Sequence, residues 1–195
     1  MQKIALTGNI ASGKSLVESF LEECEIPVID ADKIVADLYF DKNFIEKMKN
    51  KFQEYNFIEN DEISREKLAK LVFENDSFKK ELENFVHPFV MDKVEDFFRV
   101  NSSKKLAVAS IPLLFECGWQ KYFDKTILVI SDLRFRKKRL MKRNNLTKEQ
   151  ANLRISAQMP QEQKIAQADF IIENNFDIKS LNDTVKDLVE SLNAG

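Results

Sequence analysis

Four residues near the N-terminus have the types and the spacing of a phosphate-binding loop. Gly8, Gly13, Lys14 and Ser15 match the pattern G-x-x-x-x-G-K-[ST] in full, in a chain that holds only four glycines. Glycines let the backbone turn tightly and bring its N–H groups to an anion, a lysine adds a full positive charge, and a serine hydroxyl can bind Mg²⁺. The pattern therefore predicts a cradle for the phosphates of a nucleoside triphosphate.

The residues on either side of the loop predict the strand and the helix that it needs. Residues 4–7 form a short apolar run typical of a buried strand, and residues 14–24 carry apolar side chains at helical spacing. A helix that begins at the loop directs the positive end of its dipole at the bound anion. Residues 26–29 form a second apolar run, and a strand–helix–strand unit of this length implies that the two strands are parallel.

The rest of the chain predicts an α/β fold, with a five-stranded parallel sheet flanked by helices, a helical insertion and a helical lid. After the insertion, short apolar runs predict three more strands, at residues 106–110, 126–130 and 170–172. Within the insertion, Asn60-Asp61 predicts a turn, and Pro88 predicts a restart or a kink of a helix. Residues 178–192 have the spacing of a closing amphipathic helix.

This alternation divides the chain into three expected parts. They are a nucleotide-binding core of residues 1–32, 105–133 and 168–195, a helical substrate-binding domain of residues 33–104, and a lid of residues 134–167. The lid begins with a run of basic residues, most of which are expected to form a solvated helical face. Because the lid has few residues to bury, we expect it to open easily in the free protein.

Composition limits the classes of function. The chain has 195 residues, a formal net charge of −2 and two cysteines, Cys24 and Cys117, without metal-like spacing. A general nucleic-acid binder would usually be basic, so no nucleic-acid partner is expected. The cysteines predict reduced thiols in a cytoplasmic protein. We expect no signal peptide, and because no apolar run approaches the ~20 residues of a membrane helix we expect no membrane partner. We also expect a small-molecule substrate and no obligate protein partner.

A phosphate cradle alone does not name a reaction. A kinase for a small molecule and a regulatory NTPase both use such a loop. A GTPase reads guanine with Asn-Lys-x-Asp, but the pair Asn50-Lys51 is followed by Phe52 and Gln53 and lies in the helical insertion. The sequence therefore favours a kinase over a guanine-nucleotide switch.

The second predicted strand is followed by two carboxylates, in Asp30-Ala31-Asp32. The carboxyl ends of adjacent parallel strands face the same crevice as the phosphate loop. A carboxylate there can accept a proton from an attacking hydroxyl. Either aspartate can instead cap the helix that follows, and the residues by themselves leave both roles open.

With these features, the chain resembles the dephospho-CoA kinase family along nearly its whole length. The matching segments are the loop through Ser15, Asp30-Ala31-Asp32, Ser64 to Leu68, His87-Pro88, Pro112 to Glu116, Arg139-Leu140 with Arg143, Arg154-Ile155 with Gln158-Met159, and Ala168-Asp169 with Asn174. The resemblance implies a P-loop kinase core, a CoA-binding domain and a lid. It also implies transfer of phosphate from ATP, with Mg²⁺, to the ribose 3′-hydroxyl of dephospho-CoA. The alternatives are a P-loop kinase for another nucleotide-like acceptor and a regulatory NTPase.

The resemblance and the chemistry of the side chains together give the expected site. The residues expected to bind the nucleotide are Gly8, Ala11, Ser12, Gly13, Lys14, Ser15, Leu16 and Arg154. The catalytic residues are Lys14, Arg139, Arg143 and, by resemblance, Asp32 as the base, and we expect at least one of the three lid arginines to contact ATP. The residues expected to bind the substrate are Asp32, Arg65 and His87, and those for the metal are Ser15 and, through a water, Glu116. His87 and Glu116 each have a structural alternative as well: His87 can cap a helix instead of binding substrate, and Glu116 can close a turn instead of holding a metal-bound water.

Three residues of the loop region depart from the family's usual pattern, and Asp132, far along the chain, is expected to have only a local role. Asn9 and Ala11 stand where glycine is usual, and Asn9 is expected to preserve the turn because asparagine tolerates a left-handed backbone. Leu16 stands where threonine is frequent, so one hydroxyl contact to phosphate is expected to be missing. Asp132, directly before the basic run, is expected to cap a helix.

Overall fold

The computed structural model describes residues 1–194, which contain a parallel sheet and a separate hairpin. The strands are β1 (Gln2–Gly8), β2 (Val28–Asp30), β3 (Ile58–Glu59), β4 (Glu62–Ile63), β5 (Leu106–Ser110), β6 (Lys125–Ile130) and β7 (Phe170–Glu173). The five-stranded sheet has the order β2-β5-β1-β6-β7, and every neighbouring pair is parallel. The predicted fold class is confirmed.

Helices connect the strands and follow the last one. The α-helices are α1 (Lys14–Glu23), α2 (Ala31–Leu38), α3 (Lys42–Lys51), α4 (Arg65–Glu74), α5 (Asp76–Val100), α6 (Leu133–Asn144), α7 (Lys148–Ser156), α8 (Gln161–Ile165) and α9 (Ile178–Ala194). A short 3₁₀ helix spans Trp119–Tyr122. Within residues 1–194, no helix has both the length and the apolar character needed to cross a membrane.

The central strand of the sheet is β1, which pairs with β5 on one side and with β6 on the other. Its residues Ile4, Ala5 and Leu6 are fully buried. A parallel strand that is covered on both faces needs such a continuous apolar run, without polar alternation. The predicted loop begins at the carboxyl end of β1. It therefore follows the central strand of the sheet and not an edge strand.

One face of the sheet packs against α1 and α9. Alternate residues of the strands contribute to this core, as expected when successive side chains lie on opposite faces. The core residues are Ile4, Leu6, Leu106, Val108, Ile127, Val129 and Ile172 from the strands, Val17, Phe20 and Leu21 from α1, and Leu181, Val185, Val189 and Leu192 from α9. The spacing of the α9 residues gives that helix one apolar stripe.

The contacts within the chain divide it into two compact units. The larger unit consists of residues 1–30 and the chain from Phe97 onward, and it contains the parallel sheet. The smaller unit is Ala31–Asp96. The further separation of a lid from the core stays a prediction.

The smaller unit has a core of aromatic rings. The Phe52 ring meets those of Phe57, Phe78 and Phe85 edge-on, with centroids 6.1, 5.4 and 5.5 Å away. Edge-to-face contacts of this kind add to the stabilisation that burial of the rings supplies. The turn predicted at Asn60-Asp61 joins β3 to β4, two strands that the expectation of a purely helical insertion missed. Both turn residues have positive φ, 51° and 61°, as a tight hairpin turn requires.

The helix α5 runs through Pro88 without ending, so of the two predicted alternatives the restart is wrong and the kink stays a prediction. Proline removes one hydrogen bond from a helix and crowds the preceding turn. Here Val86, Val90 and Val94 are all buried and continue the same spacing across the proline. Packing of this stripe therefore outweighs the local cost of Pro88.

Candidate active site

The loop begins where the β1 backbone passes close to β6. Gly8 is the last residue of β1 and pairs with Val129. A Cβ at this position would lie 2.8 Å from the carbonyl oxygen of Val129 and would also crowd the Ser12 hydroxyl. Glycine is therefore required here for a close approach of two strands, which fixes the start of the loop.

The loop ends at Gly13, which precedes α1 and has a left-handed backbone with φ of 103°. A Cβ on Gly13 would overlap the side-chain amide of Asn174. Asn174 is buried, and its Nδ2 donates a hydrogen bond to the carbonyl oxygen of Ser12 over 2.7 Å. Both the backbone conformation and the tight packing therefore demand glycine at this position.

Within the loop, Ala11 rather than Asn9 has the left-handed backbone among residues 1–194, with φ of 62°. The expectation that Asn9 preserves the turn by adopting this conformation is therefore wrong. Asn9 uses its side chain instead, since its Nδ2 donates to the carbonyl oxygen of Met159 over 2.9 Å. The loop has a strained alanine at one of the positions where the family usually has glycine.

Lys14 is the first residue of α1, and its side chain is only 13% exposed. The Nζ atom lies 2.6 Å from Glu18 Oε1 and also donates to Ser110 Oγ. Ser110 is the last residue of β5, the strand next to β1. The lysine is thereby directed at the sheet edge that carries the loop.

The two residues after Lys14 have different environments. Ser15 is exposed, so its hydroxyl is accessible to a ligand at the start of α1. Leu16 packs against the hydrophobic core of the sheet. The leucine that replaces a frequent threonine therefore has a packing role in this chain.

A segment distant in sequence holds the loop in place. The side chain of Gln158 accepts a hydrogen bond from the backbone N–H of Ile10 over 2.7 Å, and the adjacent Met159 accepts the one from Asn9. Both residues follow α7 directly. The segment predicted to be a lid therefore contacts the loop through the backbone and through side-chain amides.

Two arginines of α6 bind carbonyl oxygens of the loop. Arg136 is 4% exposed, and its Nε donates to Ile10 over 3.1 Å. Burial lowers the pKa of this guanidinium, and Glu162 opposes the shift. Arg139 donates from Nη1 to Ala11 and Ser12 over 3.4 and 3.3 Å, and from Nη2 to the carbonyl oxygen of Asn174 over 3.0 Å. These two members of the basic run support the loop, whereas Arg134, Lys138, Lys142 and Arg143 are exposed, as expected for most of the run.

Glu116 anchors the segment that contacts the loop. Its Oε1 atom lies 2.7 Å from Nζ of Lys164, a lysine whose side chain is fully buried. The same oxygen accepts the backbone N–H of Met159 over 3.2 Å. Glu116 thus links the turn after β5 to α8, and its expected contact with a metal through water stays a prediction.

The other residues expected in the lid have fewer contacts. Arg143 and Arg154 are exposed, and Arg143 donates from Nε to Asn144 over 3.0 Å. Asp132 occupies the N-cap position of α6, but its carboxylate makes no capping hydrogen bond there. It accepts a hydrogen bond from Asn175 instead, because the loop after β7 brings that amide to 3.0 Å from its Oδ1. The predicted side-chain cap is therefore wrong.

The two carboxylates after β2 lie in different elements. Asp30 is the last residue of β2, and Asp32 lies in the first turn of α2. A negative charge in the first turn of a helix interacts favourably with the helix dipole. The structure thus distinguishes the two aspartates by position, while their assignment as base and structural residue stays a prediction.

The smaller unit contains a cavity of about 810 Å³ that includes Arg65. The Arg65 guanidinium lies 5.3 Å from the centroid of the Phe40 ring, and Phe40 is 75% exposed. Burial raises the pKa of the neighbouring Tyr39, and the charge of Arg65 opposes the shift. The other lining residues are Lys42, Ile45, Glu46, Lys49, Asn50, Asn60, Asp61, Glu62 and Ile63.

His87 lies inside α5 and not at a helix end, so the alternative of a helix cap is wrong. Burial lowers the pKa of its imidazole below the ordinary 6.5, and the nearby carboxylate of Glu83 opposes the shift. The imidazole is therefore neutral at neutral pH. Its expected contact with substrate stays a prediction.

The loop, its two glycines and the lysine have the arrangement of a phosphate-binding loop on a parallel α/β sheet. A family model described as dephospho-CoA kinase matches residues 2–180. The chain belongs to the dephospho-CoA kinase family. It is a kinase, and the family's reaction is the final step of coenzyme A biosynthesis, so the sequence-based prediction of function is confirmed.

Relatives of the family cover nearly the same length. The dephospho-CoA kinase of Geobacillus kaustophilus is 41% identical over 175 residues, which are 88% of this chain and 87% of the relative. That of Fusobacterium nucleatum is 35% identical over 189 residues, 97% of each chain. The crystal structure of TT1252 from Thermus thermophilus is 34% identical and superposes with a TM-score of 0.84, covering 98% of this chain and 97% of that one. The similarity thus includes both units.

Several residues that shape the site had no predicted role. Arg136 stood in a basic run, Gln158 and Asn174 entered only through the resemblance, Ser110 carried no signal, and Glu18 was given no role. Their partners lie far away along the chain, except for the pair Lys14 and Glu18, whose spacing of four residues on one helix was available as a signal. Arg136 could not be distinguished from the other residues of the basic run, and Ser110 could not be distinguished within the run that forms β5.

Proposed function

We propose that this member of the family binds the triphosphate of ATP at the loop from Gly8 to Ser15 and transfers the γ-phosphoryl group to the ribose 3′-hydroxyl of dephospho-CoA. The observation that carries the proposal is the loop itself. Gly8 and Gly13 are each required by contacts, Lys14 is directed at the sheet edge, and α1 begins directly after Gly13. The first N–H groups of a helix have no partner within it and suit an anion.

Asp32 is the proposed general base. Phosphoryl transfer of this kind depends mainly on positioning and on stabilisation of charge, and a carboxylate that takes the hydroxyl proton adds to both. In support, Asp32 lies in the first turn of α2, directly after the strand that ends at Asp30. The proton then moves from the acceptor oxygen to the carboxylate as that oxygen bonds to the γ-phosphorus of ATP, and the bond from this phosphorus to the oxygen that leaves with ADP breaks.

The residues around Lys14 fit a magnesium ion. Mg²⁺ keeps several waters and takes few protein ligands besides the substrate phosphates. The exposed hydroxyl of Ser15 suits direct contact with it, whereas Glu116, already paired with Lys164, suits a contact through water. When bound, the ion neutralises negative charge on the phosphates.

The lid arginines divide into two proposed roles. Arg139 holds the loop, because its donors bind loop carbonyl oxygens and Asn174. Arg143 and Arg154 are exposed and remain the candidates for contact with the phosphates of ATP. An arginine that reaches the transferring group stabilises its negative charge.

The cavity of the smaller unit is the proposed site for the acceptor. Its volume of about 810 Å³ lies within the ~300–1,000 Å³ that small-molecule sites usually have. Arg65 offers a planar guanidinium suited to the diphosphate of dephospho-CoA, and the exposed Phe40 ring offers an apolar face. His87, in the same unit, is a second proposed contact.

We also propose that the enzyme works in the cytoplasm. Among the described residues, Cys24 and Cys117 are not joined by a disulfide, in keeping with a reducing compartment.

A coupled assay of ADP release tests the proposed function. ATP and Mg²⁺ are supplied with dephospho-CoA, adenosine, a nucleoside monophosphate or no acceptor. We expect turnover with dephospho-CoA. Mass spectrometry of the product should show one added phosphate on the ribose 3′-oxygen. Turnover that needs no acceptor would indicate an NTPase, and turnover with the monophosphate alone would indicate a kinase for a different acceptor.

A further inference from the structure

Glu18 is an acidic residue in direct contact with the lysine of the loop. It lies four residues after Lys14 on α1, and its Oε1 atom is 2.6 Å from Lys14 Nζ. Both side chains also contact the hydroxyl of Ser110, which accepts a hydrogen bond from the lysine and donates one to the carboxylate. The three groups form a closed triad beside the loop.

The triad is shielded from water. Glu18 is 8% exposed and Ser110 is fully buried, and the neighbouring Val17 and Leu21 are fully buried as well. A charge in such surroundings is tolerated only when a partner compensates it. Glu18 and Lys14 therefore depend on each other when no nucleotide is bound.

The same contact opposes the binding of a triphosphate. A lysine ammonium has three donors, and the triad uses two of them. The carboxylate also adds a negative charge next to the group that must attract phosphate, and limited exposure to water strengthens such repulsion. ATP thus competes with Glu18 for the charge of Lys14.

We propose that Glu18 is the counter-ion of Lys14 in the free enzyme and a positioning residue that weakens the grip of the loop on ATP. It keeps the Lys14 side chain against Ser110 until the phosphates of ATP bind, and the ion pair with Lys14 forms again when the nucleotide dissociates. This inference rests on the proposed binding of ATP at the loop.

A structural ion pair without this role gives a different signature. If Glu18 only ordered the loop, replacing it would lower both the stability of the free protein and its affinity for ATP. If Glu18 competes with ATP, the same replacement lowers the stability of the free protein and raises the affinity. The opposite signs separate the two roles in one variant.

Glu18→Gln is the deciding variant, because glutamine keeps the size and one accepting oxygen but removes the charge. Glu22→Gln is the control, since Glu22 lies one turn further along α1 and is exposed. Calorimetric titration with ATP-Mg²⁺ should show roughly three- to tenfold tighter binding to Glu18→Gln and no change for Glu22→Gln. The melting temperature without nucleotide should fall for Glu18→Gln alone, and saturating ATP should raise it by more than it does in the wild type.

Equal or weaker ATP binding by folded Glu18→Gln overturns the proposal. If that variant fails to fold, Glu18→Met is titrated instead, because methionine fills similar space without charge or buried polar atoms. Tighter ATP binding would again support the proposal, and equal or weaker binding would overturn it. The proposed function fails separately, if the wild type does not bind ATP or if Lys14→Ala binds it as tightly as the wild type. If the wild type binds ATP through Lys14 but Glu18→Gln does not bind it more tightly, only the role of Glu18 is wrong.

Discussion

In the larger unit, the phosphate-binding loop is shaped by backbone contacts, whereas in the smaller unit the cavity beside Arg65 is lined by side chains. The loop needs glycine at Gly8, against the Val129 carbonyl, and at Gly13, against Asn174. The cavity brings together Arg65, Phe40 and charged residues from several elements. A site made by backbone conformation restricts residue types at fixed spacing, but a site made by side chains leaves no such spacing in the sequence.

The two regions also differ in how their polar groups are satisfied. Around the loop, Arg139, Gln158 and Asn174 bind specific backbone groups of the loop. Beside the cavity, the ion pair of Lys49 with Asp61 is exposed, and such pairs contribute little to stability. We therefore expect substitutions at the loop to affect nucleotide chemistry strongly, and substitutions at the cavity to affect mainly the affinity for the acceptor.

Lys14→Ala should have the largest effect. Removing a fixed positive charge from a phosphate site costs roughly 10²–10³-fold or more in kcat, because no other group takes its place. Steady-state kinetics and binding of dephospho-CoA are measured together, and the binding should be retained. More than about a tenth of the wild-type rate would remove Lys14 from the mechanism.

Asp32→Asn comes next, and it tests whether the base belongs to α2 or to the end of β2. Asparagine keeps the size of aspartate but cannot take a proton at neutral pH. We expect kcat to fall by roughly 10²-fold, the lower end for a general base, with the ATP Kd nearly unchanged. The matched variant Asp30→Asn should mainly lower the melting temperature. An inactive Asp30→Asn beside an active Asp32→Asn would reverse the assignment.

Arg65→Ala should act on the acceptor alone. Losing charge-assisted hydrogen bonds to a phosphate group raises the KM for dephospho-CoA by roughly tenfold or more, while the ATP Kd stays the same. Lys70→Ala removes a positive charge from an exposed position of the same helix and should leave both constants unchanged. An unchanged KM in Arg65→Ala would place the acceptor elsewhere.

A smaller effect is expected from relieving strain in the loop. Ala11 has φ of 62°, so Ala11→Gly should stabilise the protein by up to about 1 kcal/mol, or ~2–4 °C in Tm. Asn9→Gly is the contrasting variant, because it loses the hydrogen bond to Met159 without relieving strain, and it should lower Tm. Thermal unfolding that gives both variants the same sign would contradict this account of the loop.

The smallest effect concerns His87 in the smaller unit. Because burial holds the pKa of its imidazole below 6.5, its contribution to stability is present above pH 6.5 and is lost as the pH falls through the lowered value. His87→Gln should therefore lose less stability than the wild type between about pH 7.5 and 5.5. Denaturant unfolding at both values measures this difference, and equal losses would show that His87 does not titrate as described.

The sheet and the loop were predictable from sequence because each depends on a local pattern. Continuous apolar runs gave all five parallel strands, and the glycine spacing gave the loop. The hairpin of β3 and β4 was missed because strands of two residues leave no measurable period. At Pro88 the sequence left a restart and a kink open, because the burial of Val86 and Val90 that favours continuation of α5 is a property of the packed unit.

The supporting residues of the site were less predictable. A sequence pattern suggested the left-handed residue at Asn9, but the fold gives Asn9 a side-chain partner, Met159, and leaves the conformation to Ala11. Most of the basic run is exposed as predicted, but α6 lies against the loop and buries Arg136, which had no predicted role of its own. In both cases the partner is more than a hundred residues away along the chain, and only the tertiary structure identifies it.

The division of binding between the loop and the cavity is tested most directly by a crossed titration. ATP-Mg²⁺ and dephospho-CoA are each titrated calorimetrically into the wild type, Lys14→Ala and Arg65→Ala, after thermal unfolding has shown that the variants are folded. The account predicts that Lys14→Ala loses affinity for ATP and keeps that for dephospho-CoA, and that Arg65→Ala does the reverse. If either folded variant weakens both ligands equally, or if the pattern is inverted, the assignment of the two sites is wrong.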